Sequence, residues 1–275
     1  MKQVLLVFIG GGTGSALRYL VGKIFNSTTQ GYPWGTFSVN IIGSLLIGVL
    51  MGMVLKNSSL SENQTLTSAK ETTNEIQFIS DIKKPGPNSE DIKTVFTPRK
   101  YMTDDQRFAG RRPDVLVFET EILTEDLTLA GDILAKLKVA TTGTAADWIV
   151  KVIDVHPTDT EENNKDLQNH LKMSNYHLMV RSEVLRGRFR NSFENPEPFV
   201  ANKKTSVNIQ LQDVFHTFKK GHKLQVQVQS TWFPLIDLNP QTYVDNIFKA
   251  SEEDFKTQTH IVFTDSSIEF SVLKN

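Results

Sequence analysis

Residues 35–55, GTFSVNIIGSLLIGVLMGMVL, carry no charged side chain. At about 1.5 Å of rise per residue, a helix of that length reaches about 31 Å, the thickness of a bilayer's hydrocarbon core. The sequence therefore predicts a transmembrane span there. A second apolar stretch, 4–25, is interrupted by Arg18, and it spans only if that guanidinium faces protein, water or the interface rather than lipid tails. Between the two lies NSTTQGYPWG, in which Gly31 and Pro33 favour a turn while Tyr32 and Trp34 suit the headgroup level. The expectation is a two-helix transmembrane hairpin over 1–56. A signal peptide is the alternative for the first stretch, but a second, uncharged span follows it and no convincing small-residue cleavage site separates them.

Charge divides the chain at the same place. Up to Asn57 the charged residues are Lys2, Arg18, Lys23 and Lys56, all basic, which leaves 26 basic and 31 acidic residues and a net −5 over 58–275. A mildly acidic body without basic runs argues against a nucleic-acid partner. The absence of cysteine removes disulfides, thiolate zinc sites and cysteine nucleophiles. The six histidines, His156, His170, His177, His216, His222 and His260, show no HExxH pair or similar spacing that sets two ligands on one helix face. They read as surface or core-edge residues, and no metal or cofactor is expected.

Residues 57–75, NSSLSENQTLTSAKETTNE, are polar and aperiodic, which predicts a flexible linker. Beyond it, apolar residues alternate over 133–139, 148–155, 207–211, 224–228, 261–263 and 268–272. That period predicts strands with one face in a core and one in solvent, and connections such as TTGTAAD and FKKGHK carry turn chemistry. The body, 76–275, is expected to be an all-β sandwich with short helices near 166–171 and 251–255. Trp148, Trp232 and Phe233 read as core rather than a ligand platform, because sandwiches bury large side chains inward. Arg107, Phe108, Arg111, Arg112 and Asp114 are candidates for contact with a partner domain or for a salt-bridged connection into the sandwich.

Two resemblances refine this division. FIGGGTGSALRYL at 8–20 and PWGTFSVNIIGSLLIG at 33–48 resemble the first two helices of the CrcB/FluC fluoride channels. The resemblance implies a four-helix subunit that pairs as an antiparallel dual-topology dimer with two fluoride pores. It further implies that Asn40 lines the pore, that Arg18 lies toward its entrance, and that Gly43 and Ser44 belong to the close-packed polar stretch beyond. An amide inside a membrane needs a partner or a water-filled path, and a neutral donor binds a dehydrating anion without trapping it. Nothing after Lys56 resembles the family's third and fourth helices, including the broken helix whose backbone holds a sodium ion. The implied partners are therefore the lipid bilayer, fluoride and a complementing channel chain.

The segments YMTDDQRFAGRRPDVLVFETEILTEDLTLAGDI, TGTAADWIVKVIDVHP, EVLRGRFRNSFENPEPF, FKKGHKLQVQVQSTWFPLIDLNPQT and NIFKASEEDF resemble the C-terminal jelly-roll domain of CocE/NonD hydrolases, from about Phe78 onward. Within that group they are most similar to α-amino-acid ester hydrolases and X-Pro dipeptidyl peptidases. These are serine hydrolases of esters or amides whose nucleophile, acid and histidine sit in an α/β-hydrolase domain upstream of the matching segments. No GxSxG elbow occurs in the 275 residues, so no catalytic residue is expected and an α/β-hydrolase domain in trans is the implied partner. The expected protein is a fusion of a truncated fluoride-channel hairpin with a non-catalytic jelly roll. A fluoride channel subunit that lowers cellular fluoride, or a gene-junction product with no evolved function, are the alternatives. Lys2 and Lys56 flank one side of the hairpin, which predicts a multi-pass membrane protein with a cytoplasmic jelly roll.

Overall fold

The computed structural model describes Tyr19 and residues 60–67, 74–92, 99–158 and 172–273. The chain divides into two units, Met1–Leu60 and Ser61–Asn275. The predicted hairpin, with Arg18, Asn40, Gly43 and Ser44, lies outside the described residues, as does the predicted helix at 166–171. Among the described residues no helix is long and apolar enough to cross a membrane.

The second unit is built on one long strand, β4 (Leu127–Thr141). Its Leu129, Ile133, Ala135, Leu137 and Val139 are buried, while Lys136 and Lys138 point outward to pair with Glu269 and Ser206. β7 (Thr205–Phe218) runs antiparallel along one side of β4, presenting Val207, Ile209, Leu211, Val214 and Phe218 to the same core. One extra residue on β7 opposite 131–133 shifts the register. Gly131 absorbs it at φ +125°, a backbone conformation that a side chain would strain. On the other side of β4 lie β10 (Ser267–Leu273) and then β9 (Gln258–Phe263), placed end to end. The break between them is held by Ser266, whose hydroxyl accepts from Lys138 N at 2.9 Å and donates to Lys138 O at 3.3 Å. β2 (Glu75–Ser80) lines β9, and β1 (Leu60–Thr67) lines β10.

The facing sheet has the order β3 (Val115–Glu119), β8 (Lys223–Gln229), β5 (Asp147–Val155), β6 (His177–Arg186), all antiparallel. Trp148, Val150 and Val152 of β5 and Leu224, Val226 and Val228 of β8 meet the residues of β4 and β7 in one core. The all-β sandwich expected of the body is thus present, and the predicted short helix at 251–255 is a single turn, Glu252–Asp254.

Two expectations need correction. The polar stretch 57–75 is not wholly linker, because it contains β1. An edge strand is held by backbone pairing and needs no apolar alternation, so composition hid it. Nor do β5 and β8 show one face to water, for every residue of β5 is buried. Their outer side is covered by 81–92, by 99–112, which includes the short helix α1 (Arg107–Gly110), and by 230–236. These covers are laced together: Phe233 N donates to Gly86 O at 2.8 Å, Asn88 N to Phe233 O at 2.9 Å, and Gly86 N to the Thr231 hydroxyl at 2.6 Å.

Position on β7 sets the energetics. Phe218→Ala, at a fully buried site, is expected to cost about 3–5 kcal/mol by removing transfer energy and leaving a void. Phe215→Ala, three residues away on the solvent face and 76% exposed, is expected to change stability by less than about 0.5 kcal/mol. Urea denaturation of the two full-length variants checks the contrast.

Candidate functional site

The inward-facing alternation of β5 continues past Val152 to Asp154 and then to His156, just beyond the strand. On β7 the same parity carries Val214 to His216, and ahead of β8 it carries Leu224 back to His222 in the connecting turn. Three of the six histidines therefore converge on Asp154 at one end of the sandwich. Asp154 is buried; one carboxylate oxygen meets His216 Nε2 at 2.9 Å and the other meets His222 Nδ1 at 2.7 Å. The His156 and His222 rings lie 4.5 Å apart between centroids. Burial raises the Asp154 pKa, but hydrogen bonds from His216 and His222 outweigh it and hold the carboxyl below its ordinary value. Burial pushes the His156 imidazole down, despite the opposing pull of Asp154. His156, His216 and His222 are half-buried, in keeping with core-edge residues, but their convergence on Asp154 was not expected. The signal is a strand-type spacing, Asp154-x-His156, which a helix-type ligand pattern does not contain.

A second constellation brings serine to histidine. Ser230 Oγ lies 3.1 Å from His260 Nε2, as a nucleophile and base would. The surrounding hydrogen bonds forbid that chemistry. Gln241 donates through Nε2 to Ser80 O at 3.0 Å and to Lys256 O at 2.8 Å, which fixes its amide so that Oε1 faces His260 Nε2 at 2.8 Å. That oxygen only accepts, so His260 must carry its proton on Nε2 and has no lone pair there for the Ser230 proton. The other ring nitrogen, Nδ1, is buried without a hydrogen-bond partner, so no acid orients the ring. His260 is fully buried, and burial pushes its pKa down to about 3, too low to hold a proton near neutrality.

The third polar centre is Lys151, on the outer face of β5. It is fully buried, donates to Gln106 Oε1 at 3.1 Å, and sits 4.8 Å from the centroid of the Trp232 ring. Burial pushes its ammonium down to about 7. With no opening to solvent it has no route to a substrate. The neighbouring glutamines donate in series, Gln227 Nε2 to Gln225 Oε1 at 2.9 Å and Gln225 Nε2 to Glu119 at 2.6 Å, while the Gln227 and Gln229 Oε1 atoms are buried without a partner.

Comparison with known proteins accounts for both halves. A profile of the X-Pro dipeptidyl-peptidase C-terminal non-catalytic domain matches residues 56–268. The chain belongs to this family. A profile described as CrcB-like protein, Camphor Resistance (CrcB), matches residues 5–79. The chain is 60% identical over 50 residues to the fluoride-specific ion channel FluC of Phocaeicola vulgatus, covering 18% of this chain and 41% of the channel. It is 29% identical over 138 residues to the cocaine esterase of a Rhodococcus species, covering 50% of this chain and 21% of the esterase. Among solved structures, an aminopeptidase from a marine sediment Thaumarchaeota archaeon superposes with a TM-score of 0.71 at 34% identity, over 78% of this chain and 37% of that one. An α-amino acid ester hydrolase gives 0.64 at 37% identity, over 74% and 33%. The chain thus spans less than half the length of each of these relatives. It is a fusion of a CrcB/FluC-like N-terminal segment with the non-catalytic domain of CocE/NonD-type hydrolases.

The two profiles overlap at 56–79, and β1 and β2 assign most of that overlap to the sandwich of the non-catalytic domain. Trp148 and Trp232 are buried, as expected of core, on opposite faces of the β3–β8–β5–β6 sheet, whereas Phe233 is 39% exposed. Arg112 pairs with Asp114 at 2.7 Å and caps Lys84 O at 2.9 Å, and Arg107 Nε donates to Asp105 at 2.6 Å, which is the salt-bridged connection. Lys151 gives the domain a pH signature. An unfolded lysine keeps its proton to about pH 10.4, so between about 7 and about 10 the unfolded chain binds more protons and stability rises with pH, by on the order of a few kcal/mol. Lys151→Met is expected to flatten that rise and to be more stable than the parent at about pH 6.5, as read by urea midpoints across the window.

Proposed function

We propose that the chain is a membrane-held accessory module, in which a FluC-like hairpin anchors a hydrolase-type sandwich that docks a partner rather than carrying out a reaction. The observation that carries this reading is the Gln241 amide, which leaves the buried Ser230–His260 pair without a base. Membership of a family described as non-catalytic supports it. The partner in this reading is an α/β-hydrolase domain, the part that accompanies such a sandwich in the hydrolases the chain resembles, and the matched part makes up only 37% and 33% of the solved aminopeptidase and ester hydrolase. In this reading the hairpin expected from the sequence holds the chain in the cell membrane as a multi-pass protein, and Lys2 and Lys56 favour a cytoplasmic sandwich. Full-length protein in detergent micelles is expected to hydrolyse an activated ester such as p-nitrophenyl acetate no faster than buffer does. Turnover removed both by a serine-directed fluorophosphonate and by Ser230→Ala would sink the proposal.

The 60% identity to a FluC channel favours a second reading, a fluoride channel subunit that borrows its missing helices. Asn40 and Ser44 then line the pore, Arg18 stands near its entrance, and Gly43 lets the helices approach. In fluoride-loaded liposomes this chain alone is expected to give no efflux, and efflux is expected to appear when a fragment with the third and fourth helices of a FluC channel is reconstituted with it. Silence in both cases disposes of the channel reading.

A further inference from the structure

We propose that Asp154, His156 and His222 form a binding site for a borderline divalent metal ion of the zinc class, with His216 as the residue that positions the carboxylate. Each of the three offers one ligand atom, and these atoms all lie within 4.8 Å of one another. Tetrahedral zinc with bonds of about 2.0–2.2 Å holds its ligands roughly 3.3–3.6 Å apart, so modest ring rotations close the set around one ion. The distinguishing observation is His156 Nε2, which is buried without a hydrogen-bond partner. A lone nitrogen in that state is costly to the fold unless something completes it.

The donor set selects the ion. Two imidazoles and one carboxylate suit zinc, cobalt(II) or nickel(II), whereas calcium and magnesium want six or more oxygens. Three protein ligands leave a fourth position for water. His216 Nε2, at 2.9 Å from one Asp154 oxygen, occupies that oxygen and leaves the other toward His222, as outer partners do for ligating carboxylates. The backbone beneath each ligand is fixed. Asp154 is paired on both sides, opposite Leu178 and Leu224; His156 N donates to Tyr176 O at 2.9 Å; and His222 N donates to Lys219 O at 3.0 Å. A metal here ties the β7–β8 turn to the end of β5, and through His216 it ties one sheet to the other.

The test is a titration of chelator-stripped full-length protein in detergent with cobalt(II), followed by its visible d–d bands, and then displacement by zinc. One equivalent per chain with tetrahedral-type bands is expected, together with a rise in melting temperature on zinc addition. His156→Gln and His222→Gln are each expected to weaken binding at least about 100-fold, and His216→Asn about 10- to 100-fold with the one-to-one stoichiometry kept. His177→Gln, outside the cluster, is expected to change nothing. Metal-free melting curves of the variants that match the metal-free parent separate lost ligands from lost folding, and a metal-free variant that melts earlier is replaced by the other single variant. No saturable binding, or binding and a melting shift that survive the His156→Gln/His222→Gln double variant, overturns the proposal and leaves the cluster as hydrogen-bonded histidines alone.

Discussion

A strand with neither face in water leaves no cheap place for a polar side chain, and β5 is such a strand. Its inner residues close the core between the sheets, while its outer residues lie under the covers formed by 81–92, 99–112 and 230–236. The charged groups on that sheet, and most of its amides, are paired locally. The Gln106 carbonyl side chain receives Lys151, the glutamines of β8 hand hydrogen bonds along the strand to Glu119, and Asp147 meets Asn239 at 2.6 Å and Arg186 at 3.4 Å. The same rule holds at the strand's far end, where Asp154 is satisfied only because β7 and the β7–β8 turn deliver histidines to it. Register along β5 thus fixes the polar chemistry of the domain as well as its packing.

Much of the sandwich was legible in the sequence because β4 and β7 alternate plainly, with valine, isoleucine and leucine inward and lysine, asparagine or glutamine outward. β1 was not, since an edge strand draws on backbone groups and its residues, LSENQTLT, read as solvated chain. The covering layer was hidden for a different reason. Gln225, Gln227 and Gln229 alternate with valines just as they would on a solvent face, and only the tertiary arrangement of a distant segment puts them out of water. The histidine cluster was not legible because its residues sit on strands and a turn, at separations no helix rule covers. Had the inward parity of β5, β7 and β8 been extended past their apolar residues, 154, 156, 216 and 222 would have fallen on one side.

The two halves of the chain are recognised by independent relatives, and the boundary between them falls where their matches overlap. Strand pairing resolves that overlap more finely than composition does, since β2 pairs residue by residue with β9 from Glu75 to Ser80. What the domain family contributes is a scaffold whose relatives share its fold at 34% and 37% identity while being two to three times its matched length.

The orientation of Gln241 carries a consequence for how such a domain changes over time. Its inertness at Ser230 is secured twice, by an amide that dictates where the His260 proton sits and by an Nδ1 with no carboxylate beside it. Cutting a channel to the pair would admit a substrate to a dead end, because the imidazole would still present a proton where an acceptor is needed. Acquiring reactivity there starts with replacement of residue 241, which frees Nε2 to give up its proton, and an acid on the opposite side of the ring would then orient the imidazole.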